Sequence, residues 1–319
     1  MPDPKLILLL SESWTMTDPR DLRGLVDLAV VAEAAGIDGI MIGEHITMGP
    51  SAAVYGVPAN PRDWLGPGMQ RPDYPHPSGL HLLSAMAAVT SRLRLVAAAV
   101  LSPLRHPLVL GKELATLDLV SNGRLVFLPT VSWQEEEYTA LGVSFRHRGK
   151  ILDEQLEVWQ RAWRDEVVTF HGEHYDFTDM RFEPKAWRPT GPTLWVGTIE
   201  LHPAALRRVV RYGSGYFPGL PPSPDDLDQL RAAMEQAGRR FDELELTAFL
   251  GFGTGFPDAT STKPLVPVLD EARTLMAQGI TTLVIKPAQY IDERDQLGDF
   301  CRDALTGLRE RAQEVGVGG

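Results

Sequence analysis

Cysteine is nearly absent from this 319-residue chain, which contains only Cys301. A single thiol rules out an internal disulfide and a cysteine-based metal cluster. The residue lies in a helix-like stretch near the end of the chain, and a buried, inert thiol is the usual form of such a cysteine. The sequence therefore gives no indication of cysteine chemistry.

An excess of basic charge is also lacking, because 31 Lys and Arg face 42 Asp and Glu, for a net charge of −11. General binding to nucleic acids or to anionic membranes depends on a basic surface, so both are excluded as main functions. We expect a small-molecule partner instead.

Long hydrophobic runs are missing as well. The N-terminal residues MPDPKLILLLSES hold one short apolar run, which is too short for a signal peptide or a membrane span and reads as a first strand. A cytoplasmic location is the resulting expectation.

Strand and helix patterns alternate along the whole chain, and such alternation is typical of a parallel sheet with crossover helices. Buried parallel strands fit a barrel or a doubly wound sheet. Eight units can be counted, and with 44% apolar residues the chain can bury a large core, which favours one (β/α)8 TIM-barrel domain over residues 1–319. The predicted strands are Lys5–Leu10, Gly39–Gly43, Leu93–Ala98, Arg124–Leu128, Thr193–Gly197, Gly215–Phe217, Leu244–Gly251 and Thr281–Lys286.

Two helices have clear end signals. The first is predicted over Arg20–Ala35, with its cap in the triplet Thr17-Asp18-Pro19 and its end at Gly36. Another begins at Pro107, where the missing N–H costs nothing, and stops at Asn122-Gly123.

Two connections are longer than ordinary barrel loops. Residues 46–78 follow the second strand, are rich in Pro and Gly, and contain Tyr55 and Trp64. Residues 164–187 precede the fifth strand and show hairpin-like alternation in HGEHYDF. Loops of this length are usually functional or disordered. Since active sites of this fold lie at the carboxyl ends of the strands, we interpret the first insertion as a substrate-side lid. For the second, an oligomer contact is an equally good interpretation.

The pair Glu44-His45 follows the second strand, at the end that points to the barrel mouth. Histidine titrates near neutrality and could exchange a proton with a bound molecule, while a neighbouring carboxylate could bias its protonation. On pattern alone, a histidine in this position is more often structural. Trp14 follows the first strand and could line the same mouth or serve the start of the first helix.

A strand, a glycine turn and a helix start occur together at Gly197-Thr198 and Pro203. Free N–H groups and the helix dipole make such a turn a candidate anion site. No metal site is predicted, because the spacing of His171 and His174 is not convincing and no Cys or Asp pair completes a ligand set.

The stretch from Ser91 to Glu137 resembles the bacterial luciferase-like monooxygenase family. The resemblance rests on the motifs RLRLVAAAV, PLRHP and KELATLDLVSNGR. The resemblance continues in order through residues 141–163, 170–185 and 192–218, and so covers most of the chain. The sequence is most similar to the subgroup that uses the deazaflavin coenzyme F-420, although the flavin mononucleotide (FMN) branch shares the same overall sequence pattern. The resemblance implies a TIM barrel, a small organic substrate, a homodimer and, as an optional partner, a separate flavin reductase.

The resemblance also implies roles for particular residues. His45 would be catalytic with Glu44 beside it, Gly197 and Thr198 would hold the coenzyme phosphate, and Trp14, Tyr55, Trp64 and Trp133 would lie on the substrate side. Ala98 and Ala99 would form a cis peptide bond under the isoalloxazine ring, which Thr130 and Val131 would line.

Two departures from the family pattern bear on coenzyme binding. Residues 128–133 read LPTVSW where the family has Gly-x-Gly-x-Gly-Trp, which restricts the backbone. Thr198 replaces a glycine, and Glu200 brings a negative charge towards the phosphate turn.

Three functions remain open at this stage. The first is an oxidoreductase, either an FMN monooxygenase or a deazaflavin enzyme that transfers hydride. The second is a non-catalytic relative that binds a flavin product or no coenzyme. The third, a lyase or isomerase of sugar phosphates, fits the phosphate turn but leaves the Glu-His pair unexplained.

Overall fold

The computed structural model describes residues 3–64, 66–252 and 255–317. Ten strands and nine α-helices are assigned within these ranges. In chain order they are β1 (Lys5–Leu9), α1 (Leu22–Ala35), β2 (Gly39–Ile42), α2 (Gly79–Val89), β3 (Arg94–Leu101), α3 (Pro107–Val120), β4 (Leu125–Thr130), α4 (Glu135–Ala140), α5 (Arg148–Arg164), β5 (Val168–His171), β6 (Asp176–Met180), β7 (Thr193–Thr198), α6 (Pro203–Tyr212), β8 (Gly215–Pro218), α7 (Pro224–Gln236), β9 (Glu245–Phe249), α8 (Val266–Ala277), β10 (Thr282–Ile285) and α9 (Leu297–Val317).

Eight of the strands pair in the cyclic order β1-β10-β9-β8-β7-β4-β3-β2, which closes a barrel. The pairings with a determined register are parallel. The predicted (β/α)8 barrel is therefore confirmed. All eight predicted strands are present, and their ends differ from the predicted ones by at most three residues; the largest difference is in β3, which continues to Leu101.

Contacts divide the chain into two compact units. One contains residues 1–41, 58–65 and 195–319, and the other contains residues 42–57 and 66–194. A single domain over the whole chain stays a prediction. Within the described ranges, no helix combines the length and the apolar character needed to cross a membrane.

The core of the unit formed by 42–57 and 66–194 is built on aromatic side chains of α5. Trp159 and Trp163 stack with ring centroids 6.1 Å apart, and the ring of Phe127 from β4 meets Trp159 edge-on at 5.7 Å. Edge-on and stacked pairs are the geometries that aromatic quadrupoles favour. The indole N–H of Trp159 donates to the Pro107 carbonyl at 2.8 Å, so the start of α3 is fixed to α5.

The start of α1 differs from the prediction. The cap is Asp21, whose side chain accepts from the Gly24 N–H at 2.8 Å, whereas Asp18 accepts from the Arg20 N–H and closes a local turn. The predicted end at Gly36 is confirmed by its left-handed φ of 92°. The predicted start of α3 at Pro107 is confirmed as well.

The two long connections differ in how much regular structure they contain. Between β2 and α2, a 3-10 turn spans Pro50–Ala53, and the Glu136 carboxylate accepts from the Ser51 N–H and hydroxyl. The expected hairpin after α5 is present as the antiparallel pair β5 and β6. The exact bounds of the insertions, and the function of the first as a lid, stay predictions.

Cys301 lies in α9 and is fully buried, as expected. Burial raises the pKa of its thiol to about 12. The thiolate form is therefore scarce at neutral pH.

The Asn122-Gly123 stop after α3 provides a test of this packing. Gly123 has a φ of 78°, and an added Cβ would lie 2.3 Å from Cδ1 of Trp187. Gly142 has a similar φ of 69°, with nothing within 4 Å of an added Cβ. Both Gly→Ala variants should lose about 1–2 kcal/mol for a left-handed alanine, and G123A should lose about 1 kcal/mol more for the steric clash. Urea unfolding measures both, and equal losses would show that Trp187 does not constrain the turn.

Candidate active site

Small side chains mark the carboxyl half of β3. The bond between Ala98 and Ala99 is cis, as the resemblance implies, and the register between β3 and β4 shifts between Ala98 and Val100. Ala98 and Ala99 are partly accessible, whereas Ala97 and Val100 are buried. Two partly accessible methyl groups therefore lie between buried neighbours in β3.

β4 pairs with β3, so the end of β4 and the start of the loop after it lie beside this strand. Thr130, Val131 and Ser132 are all partly accessible, and the Val131 carbonyl accepts a hydrogen bond from the Tyr138 hydroxyl. Ser132 has a φ of 56°, which is the left-handed region that glycine favours. The loop thus keeps a left-handed residue where the family pattern has glycines, with a hydroxymethyl group added. The Ser132 hydroxyl oxygen is buried and has no hydrogen-bond partner among the described residues.

His45 is held by a carboxylate from α4. Its Nδ1 lies 3.3 Å from Oε2 of Glu137, and the side chains are 9% and 0% exposed. The other carboxylate oxygen accepts the N–H groups of Ile46 at 2.6 Å and Thr47 at 3.2 Å. Burial would raise the pKa of the Glu137 carboxyl, but the hydrogen bond and charge of His45 and the two backbone N–H groups together hold that pKa below its ordinary value.

Because Glu137 is ionised, it can only accept, so Nδ1 of His45 carries the hydrogen. The remaining ring nitrogen, Nε2, is then the one that can take up or release a proton at a bound molecule. Proton transfer by His45 stays a prediction.

The carboxylate next to His45 in the sequence has a different partner. Glu44 accepts two hydrogen bonds from Arg105, at 2.6 and 2.9 Å, and a third from the Leu101 N–H at 3.1 Å. The partner of His45 is therefore Glu137 rather than the expected Glu44. Glu44 instead joins the ends of β2 and β3.

A second histidine, which the sequence analysis does not identify, packs against the first. The ring of His76 lies 5.1 Å from that of His45 in an edge-on arrangement, and the ring of Trp133 lies 6.0 Å from His45, also edge-on. Nε2 of His76 is buried without a hydrogen-bond partner in the described part of the chain. Burial and the nearby charge of His45 lower the pKa of His76 to about 4, although Glu137 acts in the opposite direction. His76 is thus a neutral imidazole at physiological pH.

The predicted phosphate turn lies in the unit that contains residues 195–319. Gly197 and Thr198 end β7 and are partly accessible. The Thr198 hydroxyl donates to the Glu200 carbonyl at 2.7 Å, and the side chain of Glu200 is exposed. The His202 ring accepts from the Ala205 N–H at the start of α6. Phosphate binding at this turn stays a prediction.

The four aromatic residues predicted on the substrate side lie in different places. Trp133 adjoins His45, and Tyr55 is 78% exposed in the first insertion. Trp14 and Trp64 belong to the other unit, where both are partly buried. Trp64 packs on Phe249 at 4.7 Å and donates to the Gly251 carbonyl.

The same unit contains a buried lysine, Lys286, directly after β10. Its ammonium is fully buried and lies 3.5 Å from Oε2 of Glu12 and 3.1 Å from the Asp63 carbonyl. Burial lowers the pKa of Lys286, and the charge of Glu12 partly offsets that effect.

Comparison with known proteins identifies the family. A family model described as luciferase-like monooxygenase matches residues 6–259, which is most of the chain. The chain belongs to the luciferase-like monooxygenase family. An F420-dependent glucose-6-phosphate dehydrogenase from Nakamurella multipartita is 30% identical over 232 residues, which are 69% of this chain and 60% of that protein.

Two solved structures show the same fold as this family member. A monooxygenase from Streptomyces bottropensis has a TM-score of 0.70 and 21% identity over 97% of this chain and 99% of its own. A coenzyme F420-dependent tetrahydromethanopterin reductase from Methanopyrus kandleri has a TM-score of 0.66 and 15% identity over 97% and 98%. At these identities the likeness concerns the fold alone. The relative and the two solved structures are thus described as an F420-dependent dehydrogenase, a monooxygenase and an F420-dependent reductase.

The low pKa of His76 predicts a pH dependence of stability for this luciferase-like protein. In the unfolded chain the imidazole protonates near its ordinary value of 6.5, whereas in the folded protein it stays neutral down to about 4. The unfolded state thus binds more protons between these values, and stability falls as the pH falls through this window. H76Q should remove up to about 3 kcal/mol of that loss.

Urea unfolding between pH 7 and pH 4 measures the effect. H81Q is the matched control, because His81 is an exposed histidine of the same unit. An unchanged slope in H76Q would show that His76 is not kept neutral by its surroundings.

Proposed function

We propose that the protein is an oxidoreductase that binds the deazaflavin coenzyme F-420, or FMN in the alternative, and acts on a small organic substrate with His45 as the proton-transfer group. The observation that carries this proposal is the buried Glu137 carboxylate on Nδ1 of His45. That contact fixes the tautomer and orientation of the imidazole, as general acid–base catalysis requires. Family membership supports the redox part of the proposal.

The residues of the unit formed by 42–57 and 66–194 fit a flat, uncharged ring system. Ala98 and Ala99 offer small, partly accessible side chains, and Thr130 and Val131 are accessible on the neighbouring strand end. The buried, unpartnered Ser132 hydroxyl and Nε2 of His76 are polar atoms that still need hydrogen bonds. A ring with carbonyl and N–H groups at its edge would supply them. When bound, the coenzyme supplies hydride or oxygen chemistry, which side chains lack.

The protein's own groups would orient the reactants and handle the proton. Glu137 holds Nδ1–H of His45, so that Nε2 accepts a proton from the substrate or donates one to it. Trp133, edge-on to His45, would limit access of water to that nitrogen. His76 is neutral, so it adds no second positive charge beside His45 when His45 becomes protonated.

The deazaflavin coenzyme is favoured over FMN by sequence. The glucose-6-phosphate dehydrogenase relative that is 30% identical depends on F420, and the wording of residues 91–137 is most similar to the deazaflavin subgroup. With F-420 the reaction would be hydride transfer, because a deazaflavin reacts poorly with oxygen. With FMN the reaction would be monooxygenation, and a separate flavin reductase would supply the reduced FMN. A homodimer and a cytoplasmic location belong to the same proposal.

One observation favours the alternative of a non-catalytic relative. The Thr198 hydroxyl already donates to the Glu200 carbonyl, so one expected phosphate donor is committed within its own loop. The backbone N–H groups of the turn would then have to bind the phosphate alone. Coenzyme affinity separates the two functions.

Titration with F-420 and with reduced FMN, followed by fluorescence, tests the coenzyme. We expect F-420 to bind at tens of micromolar or tighter, and more tightly than FMN. If neither coenzyme binds, the oxidoreductase proposal fails.

Replacement of His45 and Glu137 tests the proton transfer. H45A should lower kcat by roughly 10²–10⁴-fold, with little change in coenzyme affinity, because the methyl group cannot exchange protons. E137Q should lower kcat as well and shift its pH profile, because the amide no longer fixes Nδ1–H as a carboxylate does.

Glu136→Gln is the matched control for E137Q. Glu136 is the preceding residue of α4 and binds Ser51 rather than the imidazole. A wild-type rate in H45A would remove His45 from the reaction. Equal effects of E136Q and E137Q would show that the carboxylates act only on the loop structure.

A further inference from the structure

Three side chains with metal-binding groups converge away from the residues discussed above. His147 precedes α5 at the end of a short 3-10 helix, and Glu173 and His174 lie in the turn between β5 and β6. One ligand atom from each lies within 4.8 Å of the others. The spacing of His171 and His174 alone predicts no metal site. The set described here is different, because it uses Glu173 in place of His171 and takes His147 from a distant segment.

The turn is held in shape by one carboxylate of α5. Glu154 accepts the backbone N–H groups of Glu173 at 2.7 Å, His174 at 3.0 Å and Tyr175 at 3.1 Å. Gly172 allows this close approach, since an added Cβ would lie 2.4 Å from Oε2 of Glu154. Two of the three candidate ligands therefore sit on a turn that is fixed to the helix whose start carries the third. A preorganised ligand set loses little entropy on binding an ion.

The imidazole of His174 lacks a hydrogen-bond partner at one nitrogen. Its Nε2 is buried and neither accepts nor donates a hydrogen bond among the described residues. The rings of His147 and His174 are 5.6 Å apart and tilted by 50°, which is not a stacked arrangement. A buried polar atom without a partner costs free energy, and a metal ion would satisfy it.

The charge at the site is suited to a cation. Lys150 donates to Oε2 of Glu173 at 3.0 Å, so a carboxylate oxygen of the candidate ligand already holds a cationic group. Lys150 and Glu173 are both largely exposed, so the lysine can move away and the ion pair is weak. Lys150 competes with a metal ion for the carboxylate without blocking it.

We propose that His147, Glu173 and His174 bind a divalent transition-metal ion of the Zn²⁺ type, which ties the turn between β5 and β6 to the start of α5. Two imidazole nitrogens and one carboxylate oxygen form a ligand set that Zn²⁺ accepts, with water as the fourth ligand. Zinc bonds of about 2.0–2.1 Å place neighbouring ligand atoms about 3.3 Å apart, so small side-chain rotations close the set. Mg²⁺ and Ca²⁺ prefer oxygen ligands and do not fit.

Zn²⁺ titration of the full-length, untagged protein against a chromophoric chelator tests this site. The expected result is one equivalent of Zn²⁺ bound at micromolar or tighter affinity, with a Tm raised by about 2–4 °C. Mg²⁺ and Ca²⁺ should have neither effect. H147A and H174A should each weaken binding by more than roughly tenfold, and K150M should strengthen it, because the competing ammonium is gone.

His171→Ala is the matched control. His171 is an exposed histidine of the same hairpin that pairs with Asp176, and its loss should leave Zn²⁺ affinity unchanged. Binding that is weaker than millimolar, or that is lost equally in H171A and H174A, would overturn the proposal. Circular dichroism of each variant before metal addition shows whether it has folded, and H147A removes a ligand outside the hairpin, so the test does not depend on the hairpin variants alone.

Discussion

The buried carboxylate of Glu137 is the interaction on which the candidate active site depends. A buried charge is costly unless it is paired and fully hydrogen-bonded. Glu137 meets this requirement with the ring of His45 and the N–H groups of Ile46 and Thr47. One side chain of α4 thus fixes three consecutive residues beyond β2. If the carboxylate lost this position, both the imidazole and the backbone that carries it would be free to move.

An ion pair between Arg105 and Glu44 also holds this loop. Arg105 grips Glu44 through two hydrogen bonds, and bidentate pairs of this kind impose orientation as well as attraction. Gln155 of α5 donates to the Arg105 carbonyl, so the guanidinium-bearing loop is itself anchored to a helix. Two carboxylate contacts therefore hold the loop at His45. Glu137 of α4 contacts the imidazole itself, and Glu44, the residue before it, is held by Arg105. A catalytic group needs such support from outside its own loop, because small misplacements weaken acid–base catalysis.

The fold could be predicted from the sequence because its signals are local. The apolar run of β3, the proline at the start of α3 and the Asn-Gly stop each act over a few residues, and each predicts its element correctly. The sequence does not locate the cap of α1 correctly, because Asp18 and Asp21 both suit a cap and only the structure shows which one reaches the helix N–H groups.

The site was less predictable because its contacts join distant segments. His45 follows directly from its position after β2, but Glu137 and His76 come from α4 and from the first insertion. Nothing in a single sequence pairs residues that far apart. The lone His76 between two prolines, in the otherwise apolar and aromatic YPHP, is the one signal that could have pointed to it. The same limit hides His147 from the pair Glu173 and His174.

Ser132 bears on whether the altered glycine loop favours loss of coenzyme binding or a change in specificity. A loop that had lost its function would be free to adopt ordinary backbone angles, yet Ser132 keeps a left-handed φ of 56° that is unfavourable for a residue with a Cβ. The surroundings therefore still impose the turn, and the substitution adds a hydroxyl to it. That hydroxyl is buried and unpartnered in the described structure. A left-handed turn that carries a buried hydroxyl without a partner is suited to a ligand that offers a hydrogen bond there, which favours altered recognition at this loop over loss of binding.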